Sequence, residues 1–316
     1  MRPFAQKVLL FVSPIILGFL LLEIFLRTMG TSYKIKEQQL LQSHKNIQVL
    51  ILGNSHAAYG IDPAKFSNPA FNLAQVSQSL YYDRRITEKY IDEMKKLKYV
   101  LISIDFHSLY FSDEGYRNMW TYYGYGVNPE WKVPVLPWCS YAIGYQPKFS
   151  IEFLKRFFSG KYANFKALDV ETGVDLSRPI RNGFFAYKDS TDLQESSLKK
   201  RAEEFNQIVR HKEERISAIK DLETFITNLQ ARGITPILVT LPCYGPYREL
   251  LDKNVQAQNE IDIRYLSEKY KIGHWDYFAL DLQPDYFFNC DHLNGKGAAY
   301  VSSLLNERLL SKKADR

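Results

Sequence analysis

Apolar residues fill Val8 to Leu26 almost without a break, VLLFVSPIILGFLLLEIFL, and Glu23 is the one ionisable side chain among them. A helix rises 1.5 Å per residue, so this run spans about 28 Å, close to the thickness of a bilayer's hydrocarbon core. We read residues 1–30 as an uncleaved membrane anchor. A cleaved signal peptide usually has a shorter apolar region and ends in a small-x-small site, for which Thr28-Met29-Gly30 is a poor match. Arg2 and Lys7 flank one end, and Arg27, Lys34 and Lys36 the other. The balance leans slightly toward an N-terminus inside and a following domain outside the cytoplasm. Glu23 is expected near the outer interface, where water reaches it.

Residues 31–46 are polar with a helical flavour and read as a stalk. The pattern then alternates between short apolar runs and amphipathic stretches. Ile47 to Leu52, IQVLIL, is a buried parallel strand stopping at Gly53. Tyr81 to Lys98 places Ile86, Tyr90, Ile91, Met94 and Leu97 at helical spacing, and YVLISID, Tyr99 to Asp105, is a second strand. A charge-dense helical pattern with a solvated face runs from Ser196 to Arg232 and stops at Gly233. A third strand (Ile234 to Pro242), a helix (Leu250 to Tyr270), a short β-like HWDYF and a last helix (Gly295 to Leu310) complete the chain. Such alternation predicts a three-layer α/β/α sandwich over residues 47–316, with a mainly parallel, flavodoxin-like sheet. In such sheets reactive groups gather at the carboxyl ends of the strands.

Periodicity fades between about residues 110 and 190, where Tyr, Trp, Phe, Pro and Gly are frequent. We read this as an insertion. Aromatics reach 15% of the chain, which hints at an aromatic-lined binding surface, although much of this content must pack against itself. Hydrophobic residues at 46% and charged residues at 24% describe a packed domain rather than a disordered one. The formal charge of +6 is dispersed, with no basic block or motif for nucleic acid. Three cysteines without a CxxC pair give no basis for a zinc site, and neither metal nor cofactor is expected.

Two motifs carry chemistry. Gly53-Asn54-Ser55-His56 directly follows the first strand, where a glycine lets the backbone turn sharply and lift a serine hydroxyl clear of the core. Taken alone, Gly-Asn-Ser is also an ordinary turn. Asp291-His292-Leu293-Asn294-x-x-Gly297 stands just before the last helix and offers an imidazole with a carboxylate beside it. Alone, this segment equally suits a helix cap with Asn294 as the N-cap residue. Together, at opposite ends of the chain and both at strand-to-helix junctions, they suggest a nucleophile and its base.

On these residues the chain resembles the SGNH hydrolase superfamily, and within it the membrane-anchored relatives of DltD and of the alginate and peptidoglycan O-acetylation proteins. The resemblance covers roughly residues 47–110 and 234–311. It implies Ser55 as nucleophile and His292 as base. The usual first block is Gly-Asp-Ser, and Asn54 takes the Asp place here. The usual last block has Asp three residues before His, and here that position is Asn289. Three readings stay open: Asp291 orients the imidazole, Asn289 does so as a neutral acceptor, or the site is a dyad. Changing the orienting Asp to Asn in a serine protease lowers turnover by about four orders of magnitude. The block that supplies an oxyanion amide has no glycine here, leaving Ser77 beside the amide of Ser55. The block after the second strand offers Asp105-Phe106-His107 in place of Asn, with His107 a candidate third donor.

Adjacent side chains at a sharp turn point apart, so His56 is read as a structural neighbour, and His44, His211 and His274 as surface residues. Cys243 and Cys290 would lie close in this fold, which raises a disulfide as a hypothesis. The resemblance implies acyl transfer outside the cytoplasm: an O-acyltransferase, such as an O-acetyltransferase, acting on a cell-envelope polysaccharide or polymer beside a multi-spanning membrane-bound O-acyltransferase. The alternatives are a carbohydrate or acyl esterase, or a non-catalytic accessory that binds a glycan or a membrane partner.

Overall fold

The computed structural model describes residues 2–111, 118–128, 139–145, 147–159, 179–186, 192–210 and 212–314. Much of the expected aromatic insertion therefore lies outside the described residues, as does His211. The chain divides into two compact units, one of residues 1–34 and 114–178 and the other of residues 35–113 and 179–316.

The larger unit contains five strands: β1 (Val49–Leu52), β2 (Ala70–Asn72), β3 (Tyr99–Ser103), β4 (Thr235–Thr240) and β5 (Gly273–Asp276). All pair in parallel, in the order β2-β1-β3-β4-β5. Every residue of β1 and β3 is buried, which is why both read as unbroken apolar runs: a central strand of a doubly covered sheet has no solvent face. Register is set by pairs such as Val49 with Tyr99 and Leu101 with Ile237.

The helices, in chain order, are α1 (Arg2–Thr28), α2 (Ser32–Ser43), α3 (Ser55–Gly60), α4 (Leu80–Tyr90), α5 (Asn118–Tyr125), α6 (Pro147–Phe158), α7 (Glu195–Ile208), α8 (Lys212–Ala231), α9 (Gly245–Arg248), α10 (Lys253–Tyr270) and α11 (Gly295–Ala314). Right-handed crossovers between parallel strands decide which face each helix covers. The chain moves one way from β1 to β2 and the other way from β2 through β5. Accordingly α3 shares one layer with α11, while α4 packs on α8 and α8 on α10 in the other. The order reverses between β1 and β3, and the crevice at that point opens at their carboxyl ends.

Two expectations change. The charge-dense stretch 196–232 is two helices, α7 and α8, separated at Val209, which turns its side chain into the core. Residues 31–46 do not stand clear as a polar stalk. In α2, Leu40 and Lys36 are fully buried. Lys36 donates to the Ala74 carbonyl, with its ammonium 4.7 Å from the Phe185 ring centre, and burial pushes its pKa well below the usual lysine range. It is therefore not a membrane-flanking charge. Gln39 adds bonds to the Ile180 carbonyl (2.6 Å) and from the Gly183 amide (3.0 Å).

In the smaller unit, Pro3 to Thr28 forms a helix long and apolar enough to serve as a membrane anchor or a signal sequence. Leu26, Met119, Tyr141 and Ala142 form a small core beside it.

Gly53, where β1 ends, has φ of +135°, and a Cβ there would lie 2.6 Å from Ser103 Cβ. Both the backbone and the space require glycine. Gly53→Ala is expected to cost about 3 kcal/mol through combined strain and overpacking, read as a lowered midpoint in denaturant melts.

Candidate active site

Ser55 opens α3 directly after Gly53. The turn is held from several sides. Gly53 N–H donates to Asp83 Oδ1 (3.0 Å), Gln78 Nε2 donates to the same oxygen (2.7 Å), and Asn54 Oδ1 caps the helix by accepting His56 N–H (2.9 Å). Asn72 Nδ2 secures the far end of α3 through the carbonyls of Ala57 and Ile61, both at 2.8 Å. These anchors leave the Ser55 side chain half-buried at the start of α3.

The His292 loop is equally constrained. Asn294 Oδ1 accepts the amides of Lys296 and Gly297, both at 3.0 Å, which is the N-cap expected for α11. Asn294 Nδ2 donates to the Asp285 carbonyl at 2.8 Å. A Cβ on Gly297 would come within 2.2 Å of the Tyr286 carbonyl oxygen, so this glycine permits the loop to close. The result brings two residues 237 apart in sequence into contact: His292 Nε2 lies 2.8 Å from Ser55 Oγ.

The other face of the imidazole meets both open candidates for its orienting group. His292 Nδ1 is 3.1 Å from Asn289 Oδ1 and 3.1 Å from Asp291 Oδ1. With a carboxylate and an amide oxygen both facing Nδ1, the proton is assigned to Nδ1, and Nε2 accepts from the Ser55 hydroxyl. Asn289 Oδ1 already takes the amides of Asp291 (3.2 Å) and His292 (2.8 Å). Asp291 is the charged partner. Its side chain is wholly buried, and its donors include the His292 ring, His56 Nε2 at 3.4 Å, and Arg201, whose Nε and Nη2 both reach Oδ2 at 2.9 Å.

His56 is more than a structural neighbour. Adjacent side chains do diverge at the turn, but the divergence carries His56 between two carboxylates, Asp105 Oδ1 at 3.1 Å from Nδ1 and Asp291 Oδ2 at 3.4 Å from Nε2. Burial opposes charge on His56. The Asp105 and Asp291 carboxylates overcome that opposition and raise its pKa to about 10, so it is an imidazolium at neutral pH. The line Asp105, His56, Asp291, Arg201 thus alternates in sign. Burial would raise the carboxyl of Asp291, but the His292 ring, His56 and Arg201 hold it well below the usual range. Asp105 is likewise lowered, against burial, by His56. His292 itself is lowered, first by burial and then by the charges of His56 and Arg201, while Asp291 pulls the other way. Its free-base form is therefore the one present at neutral pH.

Arg201 comes from α7, whose charges were read as a solvated face. Its guanidinium stacks 4.3 Å from the Phe205 ring centre. Only spatial proximity identifies this residue, since ninety positions separate it from Asp291. Phe205 in turn stacks on His107 at 4.3 Å. His107 Nε2 faces Asn54 Nδ2 at 3.3 Å, and its Nδ1 is enclosed without a hydrogen-bond partner among the described residues. Burial and the neighbouring His56 charge lower its pKa to about 3, so it is a neutral packing element behind the turn. Ser77 lies half-buried in the loop after β2, which Gln75 N–H ties to the Gly53 carbonyl at 3.0 Å. Its φ of +56° belongs to the left-handed region, explaining why a glycine suits this position.

Other expectations are corrected. Cys243 and Cys290 are free thiols. Their loops do meet, through Tyr244 N–H on the Cys290 carbonyl (2.9 Å), but Cys290 Sγ is turned toward Asp291 Oδ1 at 3.9 Å. His274 lies in β5, half-buried, with Nε2 2.9 Å from Thr240 Oγ1, and His44 packs against the Leu41 carbonyl (2.7 Å). Neither is a plain surface residue. His56, Asp291 and His292 present three donor atoms within 4.8 Å of one another. These atoms are already spent on one another, on Ser55 and on Arg201, and the charged His56 is a poor metal ligand.

No model of a known protein family matches the sequence, and no curated protein does. Among solved structures, the fold superposes on a GDSL-like lipase from Bacteroides thetaiotaomicron VPI-5482 with a TM-score of 0.41 at 14% identity, over 89% of this chain and 98% of that one. It also superposes on a "putative acylhydrolase" from Bacteroides fragilis NCTC 9343 with a TM-score of 0.42 at 14% identity, over 87% of this chain and 96% of that one. At such distances the case for function rests on this chain's own side chains.

The raised pKa of His56 makes a prediction about stability. Its charge stabilises the fold fully below about pH 6.5, and this contribution is lost as pH rises to about 10. His56→Gln is expected to lower the melting temperature near pH 6 and to flatten its fall between those two values, as followed by thermal melts across the pH range.

Proposed function

We propose that this chain is a serine-dependent acyl-transfer enzyme of the SGNH hydrolase type. The observation that carries the reading is the 2.8 Å contact between Ser55 Oγ and a free-base His292 whose far nitrogen is backed by a buried, ionised Asp291. His292 Nε2 takes the proton as Ser55 Oγ bonds to the carbonyl carbon of an ester. The charge that develops on the carbonyl oxygen is met by the backbone amides of Ser55 and Ser77. Collapse breaks the bond to the leaving alcohol, which departs with the proton from His292, and an acyl-serine remains. A hydroxyl acceptor then gives its proton to His292 as it attacks the acyl carbon, and His292 passes that proton to the departing Ser55 Oγ, which restores the free serine. Asp291 and Asn289 share the Nδ1 proton throughout and hold the ring in place, and Asp291 steadies the imidazolium.

The acceptor that fits an anchored enzyme is a hydroxyl of a cell-envelope polysaccharide or polymer, which makes the chain an O-acyltransferase on the extracytoplasmic face. Its acyl groups would come from a multi-spanning membrane-bound O-acyltransferase. The apolar α1 supports the location, and the family resemblance supports the acceptor and the partner. Comparing release of free acid with transfer to a glycan distinguishes this reading from an esterase.

Three outcomes are expected. A fluorophosphonate probe should label the folded protein and fail to label Ser55→Ala, whereas equal labelling of both would end the serine reading. Asp291→Asn should reduce turnover by up to about four orders of magnitude, because the amide cannot steady the imidazolium. The acid limb of kcat/KM should lie below pH 6.5 and move upward in Arg201→Met, since the Arg201 charge opposes protonation of His292.

A further inference from the structure

Glu23 stands in an otherwise apolar helix, yet its carboxylate is fully engaged. Oε1 accepts Tyr141 N–H at 2.7 Å, and Oε2 accepts Ala142 N–H at 2.9 Å and the Ser140 hydroxyl at 3.1 Å. Arg27 Nε donates to Oε1 at 2.5 Å and its Nη2 to the Cys139 carbonyl at 3.3 Å. The clasp fixes the π-helical turn Tyr141–Tyr145 to the flank of α1, where Phe19, Leu22, Phe25 and Met29 pack around it. Glu23 lies five residues before the end of α1, or about 7.5 Å along its axis. The turn is therefore held at the level where the apolar run gives out.

Helix α6 begins at that same level, since Ser150 Oγ donates to the Ala142 carbonyl at 2.7 Å. Three of its described side chains are apolar and exposed. Ile151, Leu154 and Phe158 are 55%, 37% and 82% exposed, and their spacing of three and four residues places them on one face. Exposed Lys148 and Lys155 both lie along one edge of this stripe, and Ile143 in the preceding turn is 53% exposed as well. Leu20, Leu21 and Ile24 of α1 are exposed to a similar degree. An apolar stripe edged by lysines, tied to a bilayer-length helix at its boundary, matches an interfacial helix, with lysine stems reaching up to the headgroups.

We propose that α6 is a second membrane contact, lying in the headgroup–acyl boundary of the same bilayer that α1 crosses. The inference rests on the reading of α1 as an anchor and is independent of the acyl-transfer chemistry. The Glu23 clasp gives the contact its depth, and the lysines favour anionic headgroups.

Spin labels on the full chain in nanodiscs containing anionic lipid test this. In a Cys139→Ser background the two remaining cysteines are buried, so labels go to Ile151→Cys, Leu154→Cys and Phe158→Cys, with Leu20→Cys as the lipid control and Lys199→Cys as the aqueous one. At positions 151, 154 and 158, relaxation by oxygen should exceed that by a water-soluble nickel chelate, as at position 20 and opposite to position 199. Chelate-accessible labels on α6 with position 20 in lipid would overturn the proposal and leave the anchor standing. Labels shielded from both reagents would also overturn it, since protein would then cover the face. An aqueous label at position 20 would remove the anchor and the proposal together.

Discussion

A buried carboxylate beneath an imidazole is the constraint on which this molecule turns. Asp291 lies entirely out of water, and ionising a group there is costly unless cations and donors surround it. The chain supplies them from two distant places, His56 at the start of α3 and Arg201 in the middle of α7, and from the His292 ring beside it. Asp105 then balances His56. The four charges sum to zero, so no uncompensated ion remains, and His292 is left neutral and able to accept a proton. Removing any one of them leaves another without its counterpart.

The same arrangement explains the unusual letters of the motifs. Asp105 stands close to Asn54, and its carboxylate is already committed to His56. A second anion at position 54 would crowd that pair. An amide there caps α3 with its oxygen and faces His107 with its nitrogen, two tasks that a carboxylate cannot combine. At the other end of the chain, Asn289 bonds to the backbone of its own loop as well as to the imidazole, while the charge beside the imidazole is supplied by Asp291, two residues along.

The strands were legible because each is a short apolar run ended by a turn, and their alternation with helices left few topologies to consider. Ser55 and His292 were legible because they stand at two such junctions. Arg201 was not, since an arginine in a charge-dense helix carries no mark of the face it presents. Nor was the role of His56: its sequence position next to Ser55 says nothing about the two carboxylates that meet it. Lys36 misled for a related reason, because a lysine near an apolar run suggests an interface, and only packing reveals that its stem and head are enclosed. What was lost in each case is long-range pairing, which local patterns do not encode.

The contact between Ser55 and His292 bridges 237 positions and is made on the helix layer that α3 shares with α11. While the chain is being synthesised, the hydroxyl emerges early and waits for almost all of the sandwich before the imidazole arrives. A nascent or clipped polypeptide lacking the last loop would expose a serine with no more reactivity than any other alcohol.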